Sequence, residues 1–251
     1  MKKIQKLVKY FSMTLAFVLA VFMIDMFVQI LFSVAGSISG WDSDTVDEKK
    51  EFVNEIIDSF QVEAGNCSVK IETSNTNAIQ IYTNKDNISV RAIGRTIFIK
   101  SDSWFSFSDG NARVRIVVPQ NLLCHEINVK VGLGQISVEN IKSEKLCTNI
   151  SVGHYETQNI NVKKTDALLG IGDARIQGAF DEIINAEVAI GELMVENIGD
   201  LNQYTIHAES EIGNVEINTK TFKEENWKQG NKKMNLDCGL GDIQILNQDA
   251  S

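Results

Sequence analysis

Six stretches of this chain, VKVGLGQISVENI, TNISVGHYETQNI, ALLGIGDARIQGA, AEVAIGELMVENI, AESEIGNVEINTK and LDCGLGDIQILNQ, carry the same alternation of apolar and polar residues on either side of one glycine. The glycines are Gly134, Gly153, Gly172, Gly191, Gly213 and Gly241, at spacings of 19, 19, 19, 22 and 28. Alternate residues of a strand share a face, so each stretch predicts a strand with one buried side. A repeat near twenty residues cannot bury that side alone and stacks on its neighbours as a solenoid. Before the glycine, the inward set reads Val129, Val131, Leu133; Thr148, Ile150, Val152; Ala167, Leu169, Ile171; Ala186, Val188, Ile190; Ala208, Ser210, Ile212; and Leu236, Cys238, Leu240. After it come Ile136 and Val138, Tyr155 and Thr157, Ala174 and Ile176, Leu193 and Val195, Val215 and Ile217, Ile243 and Ile245.

The alternation slips by one residue at every glycine, which a strand can do only by bending. The glycines are therefore structural corners, where an unusual dihedral or a close backbone approach excludes a side chain. The following residue is polar each time: Gln135, His154, Asp173, Glu192, Asn214 or Asp242. Asn140, Asn159 and Asn197 then precede Ile141, Ile160 and Ile198 at turns, where asparagine tolerates the left-handed region. The predicted fold is all-β, a right-handed parallel β-solenoid of about 19-residue coils. The wider spacings imply surface insertions near Gly199 to Gln203 and from Thr221. Upstream, Val69 and Ile71, Ile79 and Ile81, Ile88 and Val90, and Ile97 and Ile99 are either early coils or a small meander. The 19 residues from Val69 to Ile88 select coils. The chain's single proline, Pro119, closes the strand RVRIVVP.

Residues 1–9 form a basic tail holding Lys2, Lys3, Lys6 and Lys9, and residues 10–35 an apolar run long enough to span a bilayer. The lysines place the N-terminus in the cytoplasm and the solenoid outside, in a single-pass cell-membrane protein. A cleaved signal peptide ending near Ser33 and Ala35 is the alternative, but its apolar region would be only about 7 to 15 residues. Asp25 and Gln29 lie one helical turn apart within the run. Either they contact a membrane-protein partner, or a protonated Asp25 is tolerated by an otherwise apolar anchor. Residues 36–62 read as linker and amphipathic capping helix. Thr45 and Glu48 make a capping-box pattern, and Phe52, Val53, Ile56, Ile57 and Phe60 share a helical face. Residues 63–248 make the solenoid domain.

Tail and anchor take four of 24 basic and one of 33 acidic residues. That leaves 20 against 32, a formal charge of −12 outside, a surface unsuited to nucleic acid. Cys67, Cys124, Cys147 and Cys238 show no metal-ligand spacing. Cys238, in an inward column, reads as a structural thiol, and the other three are undecided. His125, His154 and His207 fall at different column positions, so the repeat brings no two together. Gly170 to Asp173 and Gly239 to Asp242 share a G-x-G-D string with calcium-binding nonapeptide repeats, but the period is 19 and not 9. No catalytic residue, metal or cofactor is expected, and the chain reads as a non-enzyme. Trp104, Phe105 and Phe107 in SWFSF are either a contact patch or packing over the first coils.

GRTIFIKS, the strand RIVVP and the glycine repeats, in that order, resemble the bacterial putative-adhesin family, a domain of unknown function found in membrane-anchored β-solenoid surface proteins. The resemblance covers about Val69 to Leu246, and the family's usual glycine followed by aspartate is kept at Asp173 and Asp242. It implies a non-catalytic binding or adhesion scaffold at the cell envelope, with an envelope glycan or protein as partner. It also implies an alternative, an accessory or regulator of an envelope-stress system of Gram-positive bacteria, acting through the membrane helix.

Overall fold

Each regular coil is one long strand that bends, and its register partner lies 19 residues further on: Ile127 faces Leu146, Ile136 faces Tyr155, and Tyr155 faces Ala174. The computed structural model describes residues 48–52, 56–101, 112–196, 198–218, 220–222, 224–228 and 230–246, all within the unit Asp42–Ser251. The described residues are nearly all β, in one open sheet of stacked, solenoid-like coils. The central coils are β7 (Leu123–Glu139), β8 (Lys142–Gln158) and the first part of β9 (Ile160–Ile190), paired in parallel. The rest of β9, with β10 (Leu193–Glu196), forms the next coil.

Within β8 the buried positions are Ser143, Leu146, Thr148, Ile150, Gly153, Tyr155 and Thr157. The period of two therefore breaks at Ser143–Leu146 and again around Gly153, and these two bends turn one strand into a coil around its own buried side chains. Columns of register partners run through the stack. Val69, Ile136, Tyr155, Ala174, Leu193, Ile243 and Val215 form one, each at most 3% exposed.

The ends depart from sequential stacking. β2 (Ser59–Ser74) pairs in parallel with β7 on one side. On its other side it takes β5 (Thr96–Ser101) along one half and β6 (Ala112–Pro119) along the other. Outside these, β3 (Ile79–Thr83) lies antiparallel on β6 and β4 (Ile88–Ile93) antiparallel on β5, while β1 (Glu48–Phe52) covers β3. At the far end the chain first lays down β11 (Tyr204–Ile212) and β12 (Val215–Ile217), then β13 (Lys220–Phe222) and β14 (Glu224–Lys228), antiparallel on them. It then returns. β15 (Lys232–Leu240) runs between β9 and β11, and β16 (Ile243–Leu246) between β10 and β12. The last coil in sequence is thus next to last in space. Antiparallel strands at both ends satisfy edge amides that a bare parallel coil would offer to other chains.

Four expectations are corrected. The capping helix does not form over the described residues: Glu48–Phe52 is a strand, and Phe60 begins the Phe60, Val62, Ala64 alternation of β2. Ile57 and Phe60 are buried while Ile56 is 75% exposed, and from Ser59 onward pairing with β5 and β7 imposes the strand period; Thr45 and Val53 lie outside the described residues. The upstream runs are not all coils, since β3 and β4 are antiparallel cover. The insertion from Thr221 is not a surface loop but two of the capping strands, whereas Leu201–Gln203 is a single 3₁₀ turn capped by Asp200. The apolar residue just before each glycine is not inward, because the corner turns it toward solvent.

Candidate functional site

The corner glycines stand directly over one another. Gly172 has φ 134° and Gly241 φ 139°, a region L side chains seldom enter. A Cβ on Gly172 would sit 1.8 Å from the Gly153 carbonyl oxygen. Because the backbone bends here at such close approach, the preceding side chain is thrown outward. In stacking order these residues are Leu133, Val152, Ile171, Ile190, Leu240 and Ile212. The first three are half-buried, and Ile190, Leu240 and Ile212 are 44%, 50% and 67% exposed. Six branched side chains on consecutive rungs make a ridge of about 24 Å at about 4.8 Å per rung. Beside it the position two before the glycine is small in five coils: Gly132, Ser151, Gly170, Ala189 and Gly239. A groove of about 340 Å³ opens there, walled by Leu168, Glu187 and Asn149. A continuous apolar line of this kind, half-buried over its first three rungs and exposed over its last three, is the usual mark of a contact surface, whereas scattered exposed aliphatics are not.

The polar residue after the glycine serves the fold in two coils. Asp173 accepts a hydrogen bond from the Glu192 amide at 3.2 Å, and Asp242 from the Asn214 amide at 2.8 Å. The turn edge is amide-rich. Asn140 and Asn159 have φ 57° and 50°, and Asn159 Nδ2 donates to Asn140 Oδ1 at 2.7 Å. Asn75, Gln120, Asn121, Gln158, Asn161 and Gln177 line a cleft of about 870 Å³ along this edge.

A third cleft, of about 640 Å³, contains Asp58, Arg95, His125 and Glu144. Its carboxylates are already paired. Arg95 Nε donates to Asp58 at 2.9 Å and holds that carboxyl below its ordinary range. Lys163 and His125 contact Glu144 at 2.7 and 2.8 Å and lower it likewise. On the neighbouring face Lys70 bridges Glu72 and Glu139, both at 3.0 Å, and Arg115 also binds Glu72. The four cysteines are free. Burial pushes the Cys67 and Cys124 thiols up to about 12, so neither is a nucleophile near neutral pH. Cys67 occupies the corner position of its coil, opposite Gly134.

Of the residues singled out from sequence, Asp25, Gln29, Trp104, Phe105 and Phe107 lie outside the described residues, as does the apolar run 10–35. Among the described residues no helix is long and apolar enough to cross a membrane. One grouping escaped the sequence reading. His207 and Glu209 on β11 meet Asp237 on β15, with one ligating atom of each within 4.8 Å of the others. The H-x-E string was visible, but Asp237 joins it only because the last coil folds back beside β11.

A family profile described as Toastrack DUF4097 matches residues 53–245 of the chain. No curated protein matches it. Among solved structures, a "putative cell adhesion protein" from Clostridium sporogenes aligns at 14% identity over 80% of this chain and 100% of its own, with a TM-score of 0.48. A "putative adhesin" from Bacteroides fragilis aligns at 14% identity over 82% and 100%, with a TM-score of 0.39. A "putative lipid binding protein" from Parabacteroides distasonis aligns at 14% over 81% and 98%, with a TM-score of 0.31.

Proposed function

Because the chain belongs to the Toastrack DUF4097 family, we propose that it is a non-catalytic binding scaffold of the bacterial cell envelope, anchored in the membrane by residues 10–35 with its right-handed coils outside. The observation that carries this is the aliphatic ridge from Leu133 to Ile212 beside its small-residue groove. An apolar line of fixed 4.8 Å spacing suits a protein partner that lays apolar side chains along it, better than it suits a hydrated glycan. Glu187 beside the groove and Asp237 and Glu209 beyond it, all exposed, add a negative border that favours a basic partner. The paired carboxylates of the Asp58 cleft and the raised cysteine thiols support binding without turnover.

The test replaces Ile190, Leu240 and Ile212 with Asn together. These side chains are exposed, so the fold should persist by circular dichroism while capture of the envelope protein partner from intact membranes is lost. Undiminished capture would remove the ridge from the account. Loss of capture only on replacing Gln158 and Asn161 would move binding to the amide-lined cleft and point to a glycan.

A second reading is favoured by Asp25 and Gln29, a polar pair one turn apart in the apolar run. In it the membrane helix couples the scaffold to an envelope-stress signalling partner. Replacing both with Leu would abolish co-purification of that partner and leave ridge binding intact.

A further inference from the structure

The turn edge carries an asparagine ladder that stops short. Asn159 Nδ2 donates to Asn140 Oδ1 at 2.7 Å, across a separation of 19 residues, so the Asn159 side-chain oxygen is turned toward the next coil. The equivalent position there, again 19 residues on, is Gly178. A Cβ at Gly178 would lie 2.6 Å from both the carbonyl oxygen and the Cγ1 of Ile160, so the chain cannot set a third amide on the ladder. Among the described residues no group donates to Asn159 Oδ1. Asn159 and Gly178 both line the cleft of about 870 Å³ along this edge.

The rest of the cleft suits a neutral ligand rich in hydroxyls. The side-chain amides of Asn75, Gln120, Asn121, Gln158 and Asn161 line it and form no hydrogen bond among the described residues. Each offers donors and an acceptor on one planar group, which matches adjacent hydroxyls that also donate and accept. Lys142 is the only charged side chain among the described residues lining the cleft, too little to hold an anionic polymer against an acidic domain. A peptide is poorly served as well. The turn backbone is already engaged, the Asn140 N–H on the Gln158 carbonyl at 3.0 Å and the Asn161 N–H on the Ile141 carbonyl at 2.8 Å. Ile141 and Ile160 are buried, so the cleft presents neither a free strand edge nor an apolar pocket for a side-chain anchor. It crosses the coils of β2, β7, β8 and β9 from Thr73 to Gly178, about 14 Å at about 4.8 Å per rung, enough for a short run of sugar rings.

We propose that this cleft binds a neutral glycan of N-acetylated amino sugars. One acetamido N–H donates to Asn159 Oδ1 where the third ladder amide is missing, and ring hydroxyls bond Gln158 and Asn161. None of these residues belongs to the aliphatic ridge, so a glycan along the turn edge leaves the ridge free for a protein.

Titration calorimetry of the full-length protein in a non-glycosidic detergent tests this with three probes: a β-1,4-linked tetramer of N-acetylglucosamine, the corresponding glucose tetramer, and an acetylated, amidated peptide of Gly and Ser. The N-acetylated tetramer should bind and the glucose tetramer should bind about tenfold more weakly, since only the first carries an N–H for Asn159 Oδ1. Asn159→Gly removes the amide and keeps a residue at ease in the left-handed region, and it should weaken binding by a similar factor. Asn161→Ala, at an exposed position, should also weaken it. Replacing Ile190, Leu240 and Ile212 with Asn should leave sugar binding unchanged, so failure of the cleft and failure of the ridge are read separately. Circular dichroism checks each variant, and should Asn159→Gly unfold, Asn161→Ala and the comparison of the two tetramers decide. No binding of the N-acetylated tetramer, equal binding of the two tetramers, tighter binding of the peptide, indifference to Asn159→Gly and Asn161→Ala, or loss of sugar binding in the ridge variant would each overturn the site.

Discussion

Replacing Gly172 with Ala should damage the stack far more than the added methyl suggests. The new Cβ would lie 1.8 Å from the Gly153 carbonyl oxygen, where real Cβ atoms keep at least 3.0 Å, so the corner must open by 3.0 − 1.8 = 1.2 Å. The obstacle is backbone, which no rotamer change relieves. An L residue held at this dihedral costs about 1–3 kcal/mol, and forced displacement in a packed interior costs about 1–3 kcal/mol more. Reduced freedom of the unfolded chain offsets about 0.4–1 kcal/mol. The net loss is about 2–5 kcal/mol, against a stability of about 5–15 kcal/mol for a domain. The next corner is as close, since a Cβ on Gly191 would sit 1.8 Å from the Gly172 carbonyl oxygen, so the disturbance passes to the next coil. The control is Gly94→Ala: its φ is 61° and no atom lies within 4 Å of the added Cβ, so it should lose only about 1–2 kcal/mol. Urea unfolding of residues 42–251 followed by far-ultraviolet circular dichroism compares the two. Equal midpoints for Gly172→Ala and Gly94→Ala would refute the stacked-corner reasoning.

Leu193→Asp puts a charge into a fully buried column and should cost about 3–5 kcal/mol, read in the same urea titration. Thr165→Val should stabilise by about 1 kcal/mol, because the Thr165 hydroxyl is buried without a hydrogen-bond partner; a lower melting temperature would show that the hydroxyl is satisfied. Burial alone would raise the Glu72 carboxyl, but hydrogen bonds from Arg115 and Lys70 outweigh it and leave it lowered. Its stabilising contribution is therefore present above the unfolded carboxylate range, near pH 4.3, and is lost as the pH falls through the lower folded value. Glu72→Gln should flatten the stability profile in that acid window, and an unchanged profile would exclude the Lys70–Glu72–Arg115 cluster as its source.

The core was legible because it is periodic. Ile136, Leu193 and Ile243 could be set in one column by counting from the glycine repeat, and the turn asparagines Asn140 and Asn159 announced their left-handed dihedrals by residue type. Legibility stopped where pairing is non-local. Nothing in the spacing of 28 between Gly213 and Gly241 says that the later coil lies nearer the centre, since that depends on β13 and β14 covering an edge. The same gap hid Asp237 from His207. The ridge was misread for a different reason. Leu133 and Ile190 continue the apolar alternation up to the glycine, and only the corner geometry reveals that the bend has already turned them outward. At the other end, Phe52 and Phe60 fit a helical face as well as a strand, and the need to pair β3 and extend β2 decided between them.

Whether the ridge is where the partner binds can be read most directly by photo-crosslinking in living cells, with a photoreactive residue at Leu240 or Ile190 of the full-length chain and at Asn161 and Lys130 as off-ridge controls. The account predicts the same protein adduct from both ridge positions and none from the controls. Adducts from Asn161 alone, or no protein adduct from Leu240 and Ile190, would contradict it.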